Sequence, residues 1–122
     1  MNFLRFFAPV ITAIVLFTSL QAHALEAESF TKERFDALQA EGAPILVDIY
    51  ATWCPTCAKQ REVLETYQNE NPDSELVILE VDFDDQKEWV KHFKAPRQST
   101  LLLFDGSDPV WFSVAETREA KI

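Results

Sequence analysis

An almost unbroken apolar run over residues 45–50, ILVDIY, stops just short of Cys54, and Cys57 follows after Pro55 and Thr56. Strand formers without polar alternation are the pattern of a strand covered on both faces. From Cys54 to about Glu70 the composition turns helical, with Val63, Leu64 and Tyr67 on one side, and Asn71-Pro72 ends the segment. The two cysteines therefore stand where a buried strand hands over to a helix. Backbone N–H groups and the helix dipole favour an anion at that place, and a thiolate is one. A lowered pKa makes Cys54 a nucleophile near neutral pH. Cys57, expected to be the more buried of the two, is spaced to reach back and resolve a mixed disulfide. Pro55 suits the first helical turn, where its missing N–H would have no intrahelical partner. Trp53 is either a rigid apolar lip beside the sulfur or a piece of core.

Plainer chemistries fit the pair less well. A structural disulfide closing so short a loop removes little chain entropy and staples no distant segments. A zinc site needs further ligands, yet there is no other cysteine, and His92 is the only histidine beyond residue 24.

Around this junction the elements alternate. Thr31 is placed to cap a helix with Glu33 in its first turn and Phe35 and Leu38 on one face; Gly42 suits its C-terminal end and Pro44 closes the turn. Residues 76–81, LVILEV, read as a second buried strand, and residues 85–93 as a short helix with Trp89, Val90 and Phe93 on one face. Residues 100–104 and 110–114, separated by Asp105-Gly106-Ser107-Asp108, read as a hairpin. The order predicts an α/β domain whose mixed central sheet, parallel in part and antiparallel at one edge, is flanked by helices.

Residues 1–24 do not belong to that pattern. Arg5 and the amino terminus give a positive start, residues 6–20 are uncharged and mostly apolar, and Ala22-His23-Ala24 offers a small-x-small cleavage site, which together read as a secretory signal peptide. The apolar run falls short of the roughly 20 residues that span a bilayer, so no stable membrane insertion is expected after cleavage. Residues 25–122 then form the folded domain. That domain keeps all 20 acidic side chains and 10 of the 11 basic ones, for a formal charge of −10. Such a surface repels nucleic acid and anionic lipid, and proteins or thiols are the expected partners.

The stretch 45–57, ILVDIYATWCPTC, resembles the thioredoxin signature, in which a strand with a buried Asp runs into Trp-Cys-x-x-Cys at a helix start. The similarity continues through Leu79-Glu80-Val81-Asp82 and residues 100–104. The resemblance implies a thioredoxin fold, dithiol–disulfide exchange with client proteins through Cys54 and Cys57, and no bound cofactor. It assigns Asp48 as the buried carboxylate that trades protons with Cys57. It sets Glu80 beside Asp48 as a second proton-relay candidate, where the family has a lysine, so that the two acids lack their neutralising cation. It also lays Trp53, Pro55, Thr56, Gln98, Ser99 and Thr100 along the substrate-contact surface.

Three departures qualify the resemblance. The dipeptide between the cysteines is Pro-Thr instead of Gly-Pro. Residues 116–122 provide only one or two turns where the family begins its last helix, so most of that helix is expected to be missing. Gln98-Ser99 stands where the family places a cis-proline. A cis bond before a residue other than proline costs roughly 2.5–4 kcal/mol, so the Gln98–Ser99 bond is expected to be trans. Ser99 then either offers its hydroxyl or N–H to the Cys54 thiolate or sits in water as a loop residue. The expected protein is a periplasmic thiol-disulfide oxidoreductase. A reducing role fed by a membrane thiol reductase and an oxidising role fed by a membrane oxidase both fit. The alternative is a client-holding module of the same fold with an inert disulfide.

Overall fold

The structure, a computed structural model, describes residues 26–122; the signal-peptide reading of residues 1–24 lies outside the described residues. In chain order the elements are β1 (Glu28–Ser29), α1 (Lys32–Ala40), β2 (Pro44–Tyr50), α2 (Pro55–Glu70), β3 (Val77–Asp82), α3 (Lys87–His92), β4 (Thr100–Asp105), β5 (Asp108–Val114) and a 3-10 turn (Glu119–Lys121). The five strands form one sheet in the order β1-β3-β2-β4-β5. β3 runs parallel to β1 and β2, whereas β4 is antiparallel to β2 and β5. The expected mixed α/β sheet is thus present, with β2 at its centre.

Local chemistry explains where boundaries differ from expectation. The short edge strand β1 carries no sequence pattern of its own and forms because Glu28 and Ser29 pair with Leu79 and Glu80. Helix α3 starts at Lys87 because the Asp82 carboxylate accepts hydrogen bonds from the backbone N–H groups of Asp84 (2.8 Å) and Asp85 (2.9 Å), which bends the chain away from a helix there. Thr31 caps α1 as expected, its hydroxyl accepting from the Arg34 N–H at 3.2 Å. In α2 the buried face is Cys57, Gln60 and Leu64, whereas Tyr67 is exposed. A single 3-10 turn follows β5 in place of the opening of a last helix.

Strand alternation divides the core in two. Ile45, Val47 and Ile49 of β2 join Leu79, Val81, Leu102 and Phe104 beneath α1 and α3, where Phe30, Phe35 and Phe93 also pack. The rings interlock edge to face: Phe35 meets Phe104 at 5.3 Å and Phe93 at 5.5 Å between centroids. On the opposite face Leu46, Ile78 and Leu101 pack against Leu64 of α2, and this is also the face that carries Asp48 and Glu80.

The chain's two glycines meet at the end of the sheet remote from the cysteines. Gly42 (φ +71°) ends α1 and Gly106 (φ +58°) turns the β4–β5 hairpin; a Cβ on Gly106 would lie 3.2 Å from the Gly42 Cα, whereas a Cβ on Gly42 meets open space. Both backbones are left-handed, which costs a side-chain-bearing residue about 1–2 kcal/mol. Gly42→Ala is therefore expected to lose about that much stability in urea unfolding, and Gly106→Ala, which adds the steric clash, more. Equal losses would show that the close approach of the two turns is unimportant.

Candidate functional site

Helix α2 starts at the C-terminal end of β2, so whatever caps it is presented at the sheet's edge. The cap is Cys54: its backbone is extended (φ −92°, ψ 111°) and its Sγ accepts the Cys57 N–H at 3.1 Å. Cys54 and Cys57 form a disulfide with their Cα atoms 5.3 Å apart. Burial does not rank the sulfurs as expected, since Cys54 is 5% and Cys57 6% exposed. What separates them is the capping hydrogen bond, which only Cys54 receives. Trp53 is a lip and not core: it is 58% exposed, and its indole N–H donates to Asp84 Oδ2 at 2.7 Å. Pro55 is exposed and Thr56 half-buried. A cleft of about 170 Å³ beside the disulfide is lined by Tyr50, Ala51, Thr52, Cys54, Cys57, Ala58 and Arg61.

Across from the sulfurs lies Ser99, fully buried, with φ +64° and every described peptide bond, including the one before it, trans. Its Oγ stands 3.2 Å from Cys54 Sγ and 3.5 Å from Cys57 Sγ. With the sulfurs joined, the hydroxyl is the donor. The reading of Ser99 as a wetted loop residue is thereby corrected, because the loop folds inward. The Ser99 N–H is not available to sulfur, since it donates to the Ile49 carbonyl at 2.8 Å. Thr100 is equally buried and its hydroxyl donates to the Arg97 carbonyl at 2.7 Å; Gln98 is half-buried.

On the face of β2 that α2 covers, parallel pairing sets Asp48 directly beside Glu80, with Leu101 on its other side. Asp48 is 3% exposed and its Oδ1 has no hydrogen-bond partner. Burial pushes its carboxyl from 3.8 up to about 7; the Glu80 charge adds to the rise and Arg61 opposes it. The cation expected to be missing is present: Arg61, one turn after Cys57, donates to Glu80 Oε1 at 2.7 Å. Glu80 is therefore held by α2, whereas Asp48 is the acid left without a partner and poised near neutrality. Among the described residues no group of three or more His, Cys, Asp or Glu side chains is arranged to hold a metal.

The thioredoxin family model matches residues 26–122. The chain belongs to the thioredoxin family. It is similar to a thioredoxin of Mycobacterium tuberculosis H37Rv, 36% identical over 67 residues that span 55% of this chain and 57% of that protein. It is also similar to thiol:disulfide interchange protein DsbE of Haemophilus influenzae, 30% identical over 86 residues that span 67% of this chain and 43% of that protein. In both cases less than two thirds of the curated relative's length is spanned. Among solved structures it is similar to Trxlp of Edwardsiella tarda EIB202, with a TM-score of 0.74, 35% identity and coverage of 79% of this chain and 93% of that one. Within this thioredoxin framework two residues of the site escaped the sequence reading. Arg61 is one. Gln60, fully buried in α2, is the other; its place three positions after Cys57, on the stripe that also carries Leu64, is the signal by which it could have been found.

Asp48 makes folding depend on pH in a direction opposite to that of an ordinary salt-bridged acid. Its folded pKa lies above its unfolded one, so between pH 3.8 and about 7 the folded state holds a proton that the unfolded state has released. Stability consequently falls as pH rises through that window and stays low above it. At about 1.4 kcal/mol per pH unit the penalty is on the order of 4 kcal/mol above pH 7. Asp48→Asn is expected to be more stable than the parent at pH 8 and to lose the slope between pH 4 and 7 in urea titrations. An unchanged slope would place the charge elsewhere.

Proposed function

We propose that the chain is an exported thiol-disulfide oxidoreductase acting on client proteins. The observation that carries this is the Cys54 sulfur at the N-cap of α2, where the Cys57 N–H and the helix end stabilise a thiolate. In the reducing direction the Cys54 thiolate attacks a client disulfide. A Cys54–client S–S bond forms and the client's other sulfur departs as a thiolate. Cys57, its proton passed to Asp48, then attacks Cys54 Sγ. The client dithiol leaves, and two electrons have moved from the cysteine pair to the client. Run backwards, the same steps oxidise a client dithiol. An Asp48 titrating at about 7 is suited to take and return that proton near neutral pH.

The client surface is formed by Trp53, Pro55, Thr56 and Gln98, which remain at least partly accessible around the disulfide. Ser99 contributes through its hydroxyl: a hydrogen bond stabilises the thiolate more than the disulfide, which makes the pair more oxidising. Turnover requires a second thiol or disulfide protein to reset the pair, a membrane thiol reductase in the reducing role or a membrane oxidase in the oxidising one. The reading of residues 1–24 as a cleaved signal supports a periplasmic location, and a protein isolated from that compartment would begin at Leu25. Among the described residues no helix is long and apolar enough to cross a membrane.

The roles of the sulfurs are open to a direct test. Limited alkylation of the reduced protein is expected to label Cys54 first, Cys57→Ser to trap client mixed disulfides, and Cys54→Ser to trap few; dominant labelling of Cys57 would reverse the assignment. In the dithiothreitol-driven reduction of insulin the parent is expected to accelerate turnover, and Asp48→Asn to slow it near neutral pH while remaining folded. A parent no faster than dithiothreitol alone would sink the oxidoreductase reading in favour of a client-holding module with an inert disulfide.

A further inference from the structure

Gln60 sits in the apolar stripe of α2 between Cys57 and Leu64, fully buried, where a hydrophobic residue would fill the space at no polar cost. Its Nε2 donates to two carbonyls from outside the helix, Ser99 O at 3.1 Å and Glu116 O at 3.0 Å. Its Oε1 is buried without a partner. Leaving an acceptor orphaned costs stability that an apolar side chain would not, so this amide is not explained as packing. The carbonyls it joins belong to one strained unit: Ser99 (φ +64°) and Ala115 (φ +57°) are both left-handed, and the Ala115 N–H donates to the same Ser99 carbonyl at 2.8 Å. Two non-glycine residues in that region persist only when their surroundings over-determine them. Here α2 supplies the constraint, and the same helix carries Cys57 one turn earlier.

We propose that Gln60 is a positioning residue for the redox pair: by clamping the Ser99 carbonyl it holds the Ser99 hydroxyl on the Cys54 sulfur and so sets the thiolate's stability. This rests on the oxidoreductase reading above. Both clamped carbonyls are acceptors, so the amide must present its NH2 group to them, and no carboxylate or apolar side chain substitutes for it. A Ser99 free to leave its left-handed conformation would swing its hydroxyl off the sulfurs, although Ser99 itself is unchanged. The inference therefore concerns geometry transmitted through one side chain.

The test is a double-mutant cycle read by the equilibrium with glutathione and by the Cys54 pKa from the pH dependence of alkylation. Ser99→Ala is expected to raise the Cys54 pKa and to favour the disulfide about tenfold, a potential about 30 mV more negative. Gln60→Met, similar in length and apolar, is expected to move both quantities the same way by a several-fold change, and to change neither once Ser99→Ala is present. Additive effects, or no effect of Gln60→Met in the parent, would overturn the positioning role while leaving the oxidoreductase reading intact. A parent that does not exchange with glutathione at all would instead overturn that reading. Should Gln60→Met fail to fold, the Gln60 side-chain amide in the parent decides: its hydrogens are expected to be protected from exchange in both redox states, and rapid exchange in either would refute the clamp.

Discussion

Strand β2 hydrogen-bonds on both sides at once, parallel to β3 and antiparallel to β4, and this double pairing fixes everything the site requires. Central in the sheet, with α1 and α3 packed on one face and α2 on the other, the strand is buried on both faces, which strips water from Asp48 and raises its pKa. The register with β3 brings Glu80 alongside Asp48, and the register with β4 sets Thr100 beside Ile49. The Ser99 N–H then closes onto the Ile49 carbonyl at 2.8 Å. A one-residue slip on either side would send the acids, or the serine, to the opposite face. The chemistry at the helix start depends on a sheet whose pairing is set by apolar residues far from the sulfurs.

Much of this was legible in the sequence because it follows from local pattern. Apolar runs marked β2, β3 and β4, the Asn71-Pro72 stop ended α2 close to its observed limit, and the placement of Cys54 and Cys57 at a strand-to-helix junction announced the cap. What was hidden depends on tertiary closure. Nothing in Gln98-Ser99 states that the loop folds inward; that is decided by hydrogen bonds from Gln60, 39 residues away in sequence, and from Ala115. Arg61 likewise reads as an ordinary helix-surface cation until β3 brings Glu80 beneath it. The relative burial of the two sulfurs was misjudged for a similar reason, since Ser99 covers both.

The serine and its clamp also show how one backbone problem admits different solutions. The family resemblance calls for a cis-proline facing the disulfide, a residue whose ring fixes its own backbone. Serine has no such constraint, and a left-handed Ser99 pays conformational strain of order 1–3 kcal/mol. Four hydrogen bonds offset it: the N–H to Ile49, the carbonyl from both Gln60 and Ala115, and the hydroxyl to sulfur. The exchange trades an inert ring for a polar group at the reacting atoms. Its consequence is chemical as well as conformational, because a hydroxyl responds to sulfur's charge and a pyrrolidine ring does not.

Stability and chemistry are also divided between the two faces of the sheet. The α1/α3 face holds the aromatic cluster of Phe30, Phe35, Phe93 and Phe104 and most of the buried apolar side chains, whereas the α2 face has a small cluster of Leu46, Leu64, Ile78 and Leu101. Polar and ionisable groups, Asp48, Gln60 and the Glu80–Arg61 pair, share that second face with the partly buried Leu76, Leu103, Trp111 and Ile122. Each buried polar group there subtracts from stability unless it is satisfied, and Asp48 Oδ1 and Gln60 Oε1 are not. The face that packs tightly can carry that cost for the face that does not. Truncating a ring of the aromatic cluster should therefore unfold the domain before it alters the sulfurs, whereas changes along α2 at Gln60 or Arg61 can retune the sulfurs in a domain that still folds.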